Sequence, residues 1–289
     1  MMKIGFIGTG LMGLPMAKNL LKSDFKLKVF NRSINKAEPL KEFGAEISKT
    51  LGEVVKDNDF IITMLTDDSA VDAIMNNSDF LDNLKSGSTV IDMSSVKPTT
   101  ATKYGNTLKL KNINYLDAPV SGGTIGAEEA SLAIMVGGEQ SVFDNSLSIL
   151  KAMGNPTLVG PVGSGQVSKL ANQIVVGVTI GAVAEAITLC EKAGADPIKL
   201  IKALSGGWAD SKILQTHGKR MIDKDFSPKG KTSTHLKDMN NILECANSYN
   251  THLPISNLVK EMYKTLVDNG HGNTDHSSLY NEIERINKK

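Results

Sequence analysis

The chain contains 289 residues, of which 40% are hydrophobic and 22% are charged, a composition typical of globular proteins. Its length is enough for two domains, since domains usually contain about 100–200 residues. The formal net charge of +1 argues against binding to nucleic acid through a strongly basic surface.

Three further features bear on where the protein works. The chain opens on an apolar run that predicts a strand, with no signal-peptide core before it. The most uniform apolar run, Ile174 to Ala184, is shorter than the roughly 20 residues that span a bilayer. The two cysteines, Cys190 and Cys245, lack a CxxC spacing, which is typical of reduced thiols. We expect a cytoplasmic protein that does not bind membranes.

Short apolar runs alternate with helical patterns through the first half of the chain. This alternation predicts an α/β fold, with a mostly parallel, doubly wound sheet covered on both faces by helices. The predicted strands are Lys3–Gly8, Lys26–Asn31, Phe60–Leu65, Thr89–Ser94, Ile113–Val120, Leu132–Gly138 and Asn155–Gly160.

The pattern changes after Gly165, where one helix of about 28 residues is predicted. Gly194 is placed to end this helix, and Pro197 to open the next one. Only helical patterns follow. We therefore predict a dinucleotide-binding domain over residues 1–162 and an all-helical domain over residues 163–289, joined by the long helix.

The first predicted strand ends in a glycine-rich turn, GTGLMG, that opens a helix. Gly8 allows a tight turn, Gly10 lets a pyrophosphate approach the backbone, and Gly13 lets the helix pack against the strand. The N–H groups and dipole at the start of the helix favour phosphate. A lone GxGxxG is sometimes only a turn, but here strand, helix and second strand follow in the required order. The motif, which includes Leu11 and Met12, predicts a dinucleotide site.

The end of the second predicted strand indicates which dinucleotide binds. NAD sites usually carry Asp or Glu here, about 20 residues beyond the glycines, to bind the ribose hydroxyls. This chain has Asn31, Arg32 and Ser33 instead. Arg32 is suited to stack on adenine and pair with a 2′-phosphate, whereas a solvated arginine would leave the choice of cofactor open. We predict NADP as the preferred cofactor, with NAD as the alternative.

Three further stretches resemble the motifs of the β-hydroxyacid dehydrogenase family. This family includes 3-hydroxyisobutyrate dehydrogenases, tartronate semialdehyde reductases and glyoxylate/succinic semialdehyde reductases. The resemblance covers essentially the whole chain and implies an N-terminal Rossmann domain, a helical C-terminal domain, an active site between them, and a homodimer or homotetramer. The three stretches are LDAPVSGGTIGAEEASLAIMVGG, GPVGSGQVSKLANQ and LKDM.

The resemblance also implies roles for the matching residues. Ser121, Gly122 and Gly123 resemble the family's substrate-binding turn, and one hydroxyl with two glycine N–H groups suits a carboxylate. Lys169 resembles the catalytic lysine, and Asn172 resembles the asparagine that supports it. Their spacing of i to i+3 places both on one helix face.

Other positions match the family less closely. Gln173 stands where most members carry a second asparagine, and we assign it to substrate binding. Lys237 resembles the lysine near the nicotinamide, with Asp238 as its partner. Further cofactor contacts are expected at the ends of two strands, where open α/β sheets bind ligands: Met64, Leu65 and Ser95.

One segment departs from the family, which is usually apolar and aromatic before LKDM. Lys229, Lys231 and His235 make this segment polar. They either shape a site for a second acidic group or lie on a solvated loop, and we favour the loop. The five histidines of the chain show no HxxxH or Cys/His spacing, so no metal site is predicted.

Together these features predict hydride transfer between NADP(H) and a short 3- or 4-hydroxy acid or its semialdehyde. Lys169 is assigned as the general acid or base, because burial at the head of an apolar helix favours release of its proton. Two alternatives stay open. One is a related 6-phosphogluconate- or imine-reducing enzyme, and the other is a non-catalytic module that senses NADP(H) or binds a partner.

Overall fold

The computed structural model describes residues 2–288. The chain divides into two compact units, with Lys169 as the last residue of the first and Leu170 as the first residue of the second. The two units are described separately below.

The first unit is built on one nine-stranded sheet with the order β3-β2-β1-β4-β5-β6-β8-β7, in which β9 pairs with β8. Strands β1 to β6 are parallel to one another, whereas β8 runs antiparallel to β6 and β7. The strands are β1 (Lys3–Ile7), β2 (Lys26–Phe30), β3 (Glu46–Ile47), β4 (Phe60–Thr63), β5 (Thr89–Asp92), β6 (Asn114–Asp117), β7 (Val120–Ser121), β8 (Leu132–Gly137) and β9 (Gly154–Gly160).

Helices of the first unit connect these strands. They are α1 (Gly13–Lys22), α2 (Leu51–Val55), α3 (Asp68–Met75), α4 (Ser78–Leu81), α5 (Pro98–Lys109), α6 (Gly123–Glu128) and α7 (Gln140–Lys151), with 3₁₀ turns at Ile34–Lys36 and Glu38–Phe43.

The predicted parallel sheet is confirmed, and its continuous apolar strands are explained by burial on both faces. Ile61 and Ile62 are both fully buried, yet they belong to two different apolar clusters. Successive side chains of a strand point to opposite faces, so a strand covered on both sides needs apolar residues at every position. The sequence pattern missed β3, because two residues are too few to show a period. It predicted one strand, Ile113–Val120, where the structure has β6 and the start of β7.

The long helix α8 (Ser164–Lys192) begins in the first unit, where a buried carboxylate holds its first turn. Oδ1 of Asp117, at the end of β6, accepts a hydrogen bond from the Gly163 N–H at 2.7 Å. Oδ2 accepts one from the Gln166 N–H at 2.9 Å. The backbone comes so close that a Cβ at Gly165 would lie 2.5 Å from the carbonyl oxygens of Asp117 and Met135.

Gln166 makes a second connection from the same turn. Its side chain is fully buried, donates from Nε2 to the Ser94 carbonyl at 2.8 Å and accepts from the Val96 N–H at 3.1 Å. The start of α8 is therefore attached to the ends of β5 and β6. The first compact unit accordingly includes the start of the helix, up to Lys169. The domain boundary predicted after residue 162 stays a prediction.

The second unit contains the rest of α8 and further helices. These are α9 (Pro197–Leu204), α10 (Lys219–Ile222), α11 (Thr232–Ser248), α12 (Pro254–Leu266) and α13 (Leu279–Ile286), with a 3₁₀ turn at His276–Ser278 and π-helical segments at Leu214–Gly218 and Val267–His271. Among its described residues, β structure is limited to one isolated bridge between Lys231 and Asp275. The predicted all-helical second domain is confirmed.

Helix α8 is long and apolar enough to cross a membrane by length and composition alone. Within the second unit, Ile180, Ala184 and Ile187 are fully buried in the core of that unit. Val175 and Leu189 lie on the exposed side and are 63% and 71% accessible. The helix thus has one face that forms the core of the second unit and one apolar face that this unit leaves uncovered.

Asp275 organises the polar part of the second unit. Its Oδ1 accepts hydrogen bonds from the Ser277 hydroxyl at 2.6 Å and lies 2.9 Å from Nη1 of Arg220. Its Oδ2 accepts from the N–H groups of Lys229 and Gly230, both at 2.9 Å. Burial by itself would raise the pKa of Asp275, but the hydrogen bonds from Ser277 and from these backbone groups outweigh it and hold the pKa below its ordinary value.

The prediction of a solvated loop at 229–235 agrees with the structure at Lys229 and Lys231 but is wrong at His235. Lys229 and Lys231 are exposed, whereas His235 is only 2% exposed. His235 lies in the first turn of α11, where its ring packs 4.7 Å from the Tyr263 ring and 5.3 Å from the His276 ring. Burial in a helix turn that packs on aromatic rings overrides the polar composition of the segment.

We expect Asp117→Asn to lower the free energy of unfolding by about 1–3 kcal/mol, the usual cost of an unsatisfied buried donor. An asparagine has one acceptor oxygen, so either the Gly163 or the Gln166 N–H would face an NH₂ group. Burial raises the pKa of Asp117 to about 6, so urea titrations at pH 7.5 compare the ionised carboxylate with the amide. Asp144→Asn, on the exposed side of α7, is the matched control. Equal stability of the two variants would contradict an anchoring role for Asp117.

We expect the protein to lose stability as the pH falls from 6.5 towards 3. Burial, followed by the nearby His235, lowers the pKa of His276 from 6.5 to about 3. The unfolded chain therefore binds a proton in this range that the folded chain does not, which costs roughly 2 kcal/mol between pH 7 and pH 5.

His276→Gln should reduce this pH dependence in urea titrations, because it removes the group that protonates only on unfolding. His252→Gln, at an exposed position of the same unit, should leave it unchanged. An identical pH dependence in wild type and His276→Gln would show that His276 does not contribute.

Candidate active site

The glycine turn after β1 leaves space for a ligand at one of its three glycines. Gly8 has φ +100°, and a Cβ at Gly13 would lie 1.9 Å from the Gly8 carbonyl oxygen, so the fold itself requires both. A Cβ at Gly10 would meet nothing within 4 Å. Packing within the protein therefore does not require a glycine at position 10, whereas the close approach of a pyrophosphate would require one.

Two further features of this turn fit a dinucleotide. Helix α1 starts at Gly13 without a side-chain cap at Met12, so the N-terminal end of its dipole is not shielded by a capping side chain. The buried Thr9 hydroxyl has no hydrogen-bond partner among residues 2–288. Leu11 is 84% exposed beside the turn. The residues present at this turn therefore fit a dinucleotide.

The end of β2 lies against the glycine turn, as the sequence predicts. The Gly8 N–H donates to the Phe30 carbonyl at 2.9 Å, and the Thr9 N–H donates to Oδ1 of Asn31 at 2.9 Å. Nδ2 of Asn31 donates in turn to the Ser33 carbonyl at 2.9 Å. Asn31 thereby shapes the segment from which the exposed Arg32 side chain extends.

The predicted cofactor contacts after β4 and β5 belong to the same edge of the sheet. A Cβ at Gly8 would lie 2.3 Å from the Met64 carbonyl oxygen and 3.1 Å from the Leu65 side chain. The Leu65 N–H donates to the Ser94 hydroxyl at 2.9 Å, next to Ser95. The fold thus brings Met64, Leu65 and Ser95 to the side of the sheet where the glycine turn lies.

The turn at Ser121, Gly122 and Gly123 requires its glycines. Ser121 pairs with Ala133 at the end of the short strand β7, and α6 begins at Gly123. Gly122 and Gly123 have φ values of +140° and +64°, which residues with a side chain rarely adopt. A Cβ at Gly123 would meet nothing within 4 Å, so there is open space on its outer side.

Lys169 lies on α8, three residues after the buried Gln166. Its side chain is partly exposed. Because Asp117 and Gln166 attach the preceding turn to the sheet, the position of Lys169 is determined by the first unit.

In the second unit, four polar side chains form a chain of contacts. Nδ2 of Asn172 donates to Oε1 of Gln173 at 2.8 Å, and Nε2 of Gln173 donates to Oδ2 of Asp238 at 2.6 Å. Oδ1 of Asp238 lies 3.3 Å from Nζ of Lys237. The sequence pairs Lys237 with Asp238 but does not connect them to Gln173, because 64 positions separate Gln173 from Lys237 in the chain.

Three potential metal ligands also come together in the second unit. Ligand atoms of His217, Asp275 and His276 lie within 4.8 Å of one another. However, both oxygens of Asp275 already accept hydrogen bonds, and its charge is paired with the Arg220 guanidinium. A cation in the cluster would have to displace that guanidinium. We therefore describe this cluster as a structural centre that stabilises the second unit.

Two known protein families together match residues 3–283 of the chain. Residues 3–177 match the family described as the NAD binding domain of 6-phosphogluconate dehydrogenase. Residues 163–283 match the family described as NAD-binding of NADP-dependent 3-hydroxyisobutyrate dehydrogenase. Together the two matches include the glycine turn, Lys169 and Asp238.

Two relatives and one solved structure illustrate the similarity. A 2-hydroxy-3-oxopropionate reductase of Escherichia coli (strain K12) is 41% identical over 98% of this chain and 97% of its own length. The mitochondrial 3-hydroxyisobutyrate dehydrogenase of Drosophila melanogaster is 32% identical over 98% of this chain and 89% of its own length. The structure of Mycobacterium tuberculosis 3-hydroxyisobutyrate dehydrogenase with L-serine superposes with a TM-score of 0.89, at 28% identity, over 98% of this chain and 99% of that one. This chain therefore belongs to the family of 3-hydroxyisobutyrate dehydrogenase and 2-hydroxy-3-oxopropionate reductase, which are NAD(P)-dependent oxidoreductases.

Proposed function

We propose that this protein reduces a small semialdehyde carboxylate to the hydroxy acid with NADPH, and that 2-hydroxy-3-oxopropionate is the first substrate to test. The observation that carries this proposal is the 41% identity, over nearly the full length of both chains, to a reductase of that name. The Ser121–Gly123 turn and Lys169 support it, because they supply a carboxylate-binding turn and a proton donor.

The substrate carboxylate is bound by the Ser121 hydroxyl and the N–H groups of Gly122 and Gly123. These donors belong to one turn with defined positive φ angles, and binding of the carboxylate there would orient the aldehyde end of the substrate. A bound nicotinamide supplies the hydride that the carbonyl carbon accepts.

Lys169 then completes the reaction. Its ammonium group donates a proton to the carbonyl oxygen as the C=O double bond becomes a C–O single bond, so the product is an alcohol. In the oxidising direction the neutral amine takes this proton back. Asn172, three residues further along α8, orients the Lys169 amine through its side-chain amide.

NADPH is proposed over NADH because of the residues at the end of β2. Arg32 is exposed there and no carboxylate occupies positions 31 to 33. A guanidinium group is suited to bind the 2′-phosphate with two hydrogen bonds, whereas a carboxylate would repel it.

We also propose that the protein is a homo-oligomer, with the uncovered apolar face of the second unit covered by another copy. Leu189, Leu258 and Ile286, from α8, α12 and α13, are 71%, 61% and 57% exposed around one groove. A continuous apolar surface of this kind is typical of an interface between protein chains.

We expect Lys169→Ala to lower kcat with NADPH and 2-hydroxy-3-oxopropionate by about 10²–10⁴-fold, the usual contribution of a general acid. NADPH binding, measured by fluorescence titration, should be retained. Lys202→Ala, at an exposed position of α9, is the matched control and should keep wild-type kcat. If Lys169→Ala turned over normally with NADPH bound, the assignment of Lys169 would be wrong.

We expect Arg32→Ala to raise the KM for NADPH about tenfold or more and to leave the KM for NADH unchanged. The lost interaction is a charge-assisted hydrogen bond to a phosphate that NADH lacks. Lys41→Ala, at an exposed position of the same unit, controls for a general loss of positive charge. Equal kcat/KM for NADH and NADPH in the wild type would refute the NADP preference.

The substrate assay should include succinic semialdehyde, glyoxylate and methylmalonate semialdehyde with NADPH, beside 2-hydroxy-3-oxopropionate. It should also include 6-phosphogluconate with NADP⁺, because this compound is a hydroxy acid that can only be oxidised. Turnover of 6-phosphogluconate alone would favour the 6-phosphogluconate-type alternative. NADPH binding without turnover of any of these compounds would favour a non-catalytic module.

A further inference from the structure

Gln173 has both ends of its side-chain amide engaged by protein groups. Its Nε2 lies 2.6 Å from Oδ2 of Asp238, and its Oε1 lies 2.8 Å from Nδ2 of Asn172. Asp238 is 5% exposed and Gln173 is partly exposed, so this contact is partly buried. A glutamine held in this way has little freedom to reorient towards a ligand.

The direction of these hydrogen bonds is set by the carboxylate. An ionised carboxylate only accepts hydrogen bonds, so Gln173 must direct its NH₂ group towards Asp238. Its oxygen then faces Asn172, which in turn must donate its own NH₂ group. The carbonyl oxygen of Asn172 is left as the acceptor at the far end. The other carboxylate oxygen of Asp238, Oδ1, lies 3.3 Å from Nζ of Lys237.

We propose that Gln173 is a positioning residue that links Asp238 to Asn172, so that Asn172 presents its carbonyl oxygen as an acceptor to the Lys169 ammonium group. This inference rests on the proposed function, in which Asn172 orients Lys169 as the proton donor. It changes the role of Gln173 from a substrate contact to the group that determines which end of the Asn172 amide faces Lys169.

The length of the glutamine side chain is part of this role. An asparagine at position 173 would withdraw the amide by about 1.5 Å, one C–C bond. From contacts of 2.6 and 2.8 Å, such a shift would lengthen at least one of the two hydrogen bonds unless the backbone or the partner side chains moved. The departure from the family's second asparagine is therefore matched to the link with Asp238.

Three substitutions test the proposal in the full-length protein with NADPH and the semialdehyde that the wild type reduces. Gln173→Met keeps the length of the side chain but removes both hydrogen bonds, and Gln173→Asn keeps the amide on a shorter side chain. We expect kcat to fall about fivefold to tenfold in both, as for the loss of one orienting hydrogen bond, with little change in either KM. Gln215→Met is the matched control, because Gln215 donates to Ser205 and Asp210 on an exposed part of the same unit.

The third substitution, Gln173→Glu, gives a pH signature that a purely structural role would not produce. At pH 8 the introduced carboxylate and that of Asp238 repel each other, and the hydrogen bond that the Gln173 NH₂ group donates is lost. As the pH falls, the introduced carboxyl group becomes protonated and donates the same hydrogen bond, so the activity relative to wild type should rise. For Gln173→Met the same ratio should stay constant with pH.

A thermal measurement tests the link without any substrate. We expect Gln173→Met and Asp238→Asn each to lower the melting temperature, and the double variant to lower it by clearly less than the sum. Additive shifts would overturn the link between Gln173 and Asp238. The positioning role would be overturned if the melting-temperature shifts were coupled but Gln173→Met kept the wild-type kcat. It would also be overturned if Gln173→Met raised only the KM for the substrate.

The two proposals fail in different ways. If the wild type reduces none of the semialdehydes, the proposed function fails, and the positioning role fails with it even where the thermal cycle shows coupling. If the wild type is active and the Gln173 variants behave like Gln215→Met, only the positioning role fails.

Discussion

The hydrogen bonds between the Asp117 carboxylate and the N–H groups of Gly163 and Gln166 are the constraint on which the arrangement of Lys169 depends. They join the end of β6 to the first turn of α8. Because a helix is stiff, a fixed first turn also fixes the side chain three residues further on. Gln166 adds a second connection, to the segment after β5 where cofactor contacts are expected. One buried carboxylate thus couples the sheet to the residue assigned as the proton donor.

In the second unit, carboxylates perform comparable tasks with different partners. Asp275 accepts hydrogen bonds from two backbone N–H groups and from Ser277, and it pairs with Arg220, so its oxygens are fully used by the protein. Asp238 instead engages Gln173 and Lys237, both of which are only partly buried. The first arrangement stabilises the unit, whereas the second ends in the side-chain amide of Asn172, which is partly exposed.

The three glycines of the first turn show how far a motif can be interpreted from packing alone. Gly8 and Gly13 are required by the backbone, since a Cβ at Gly13 would collide with the Gly8 carbonyl and Gly8 has a positive φ. Gly10 is required by neither condition. Within GxGxxG, Gly10 is therefore the position whose lack of a side chain indicates a ligand rather than a requirement of the fold.

The sequence by itself determined the parallel sheet, the long helix and the helical second domain, because apolar periodicity and glycine or proline positions are local signals. Its motifs also indicated the family and the residues to examine, Lys169 among them. Only the tertiary structure decided that the unit boundary falls inside α8, that His235 is buried in a cluster of rings, and that Gln173 joins Asn172 to Asp238. These features depend on contacts between residues far apart in the chain, and the spacing of residues along a sequence does not record which distant side chains meet.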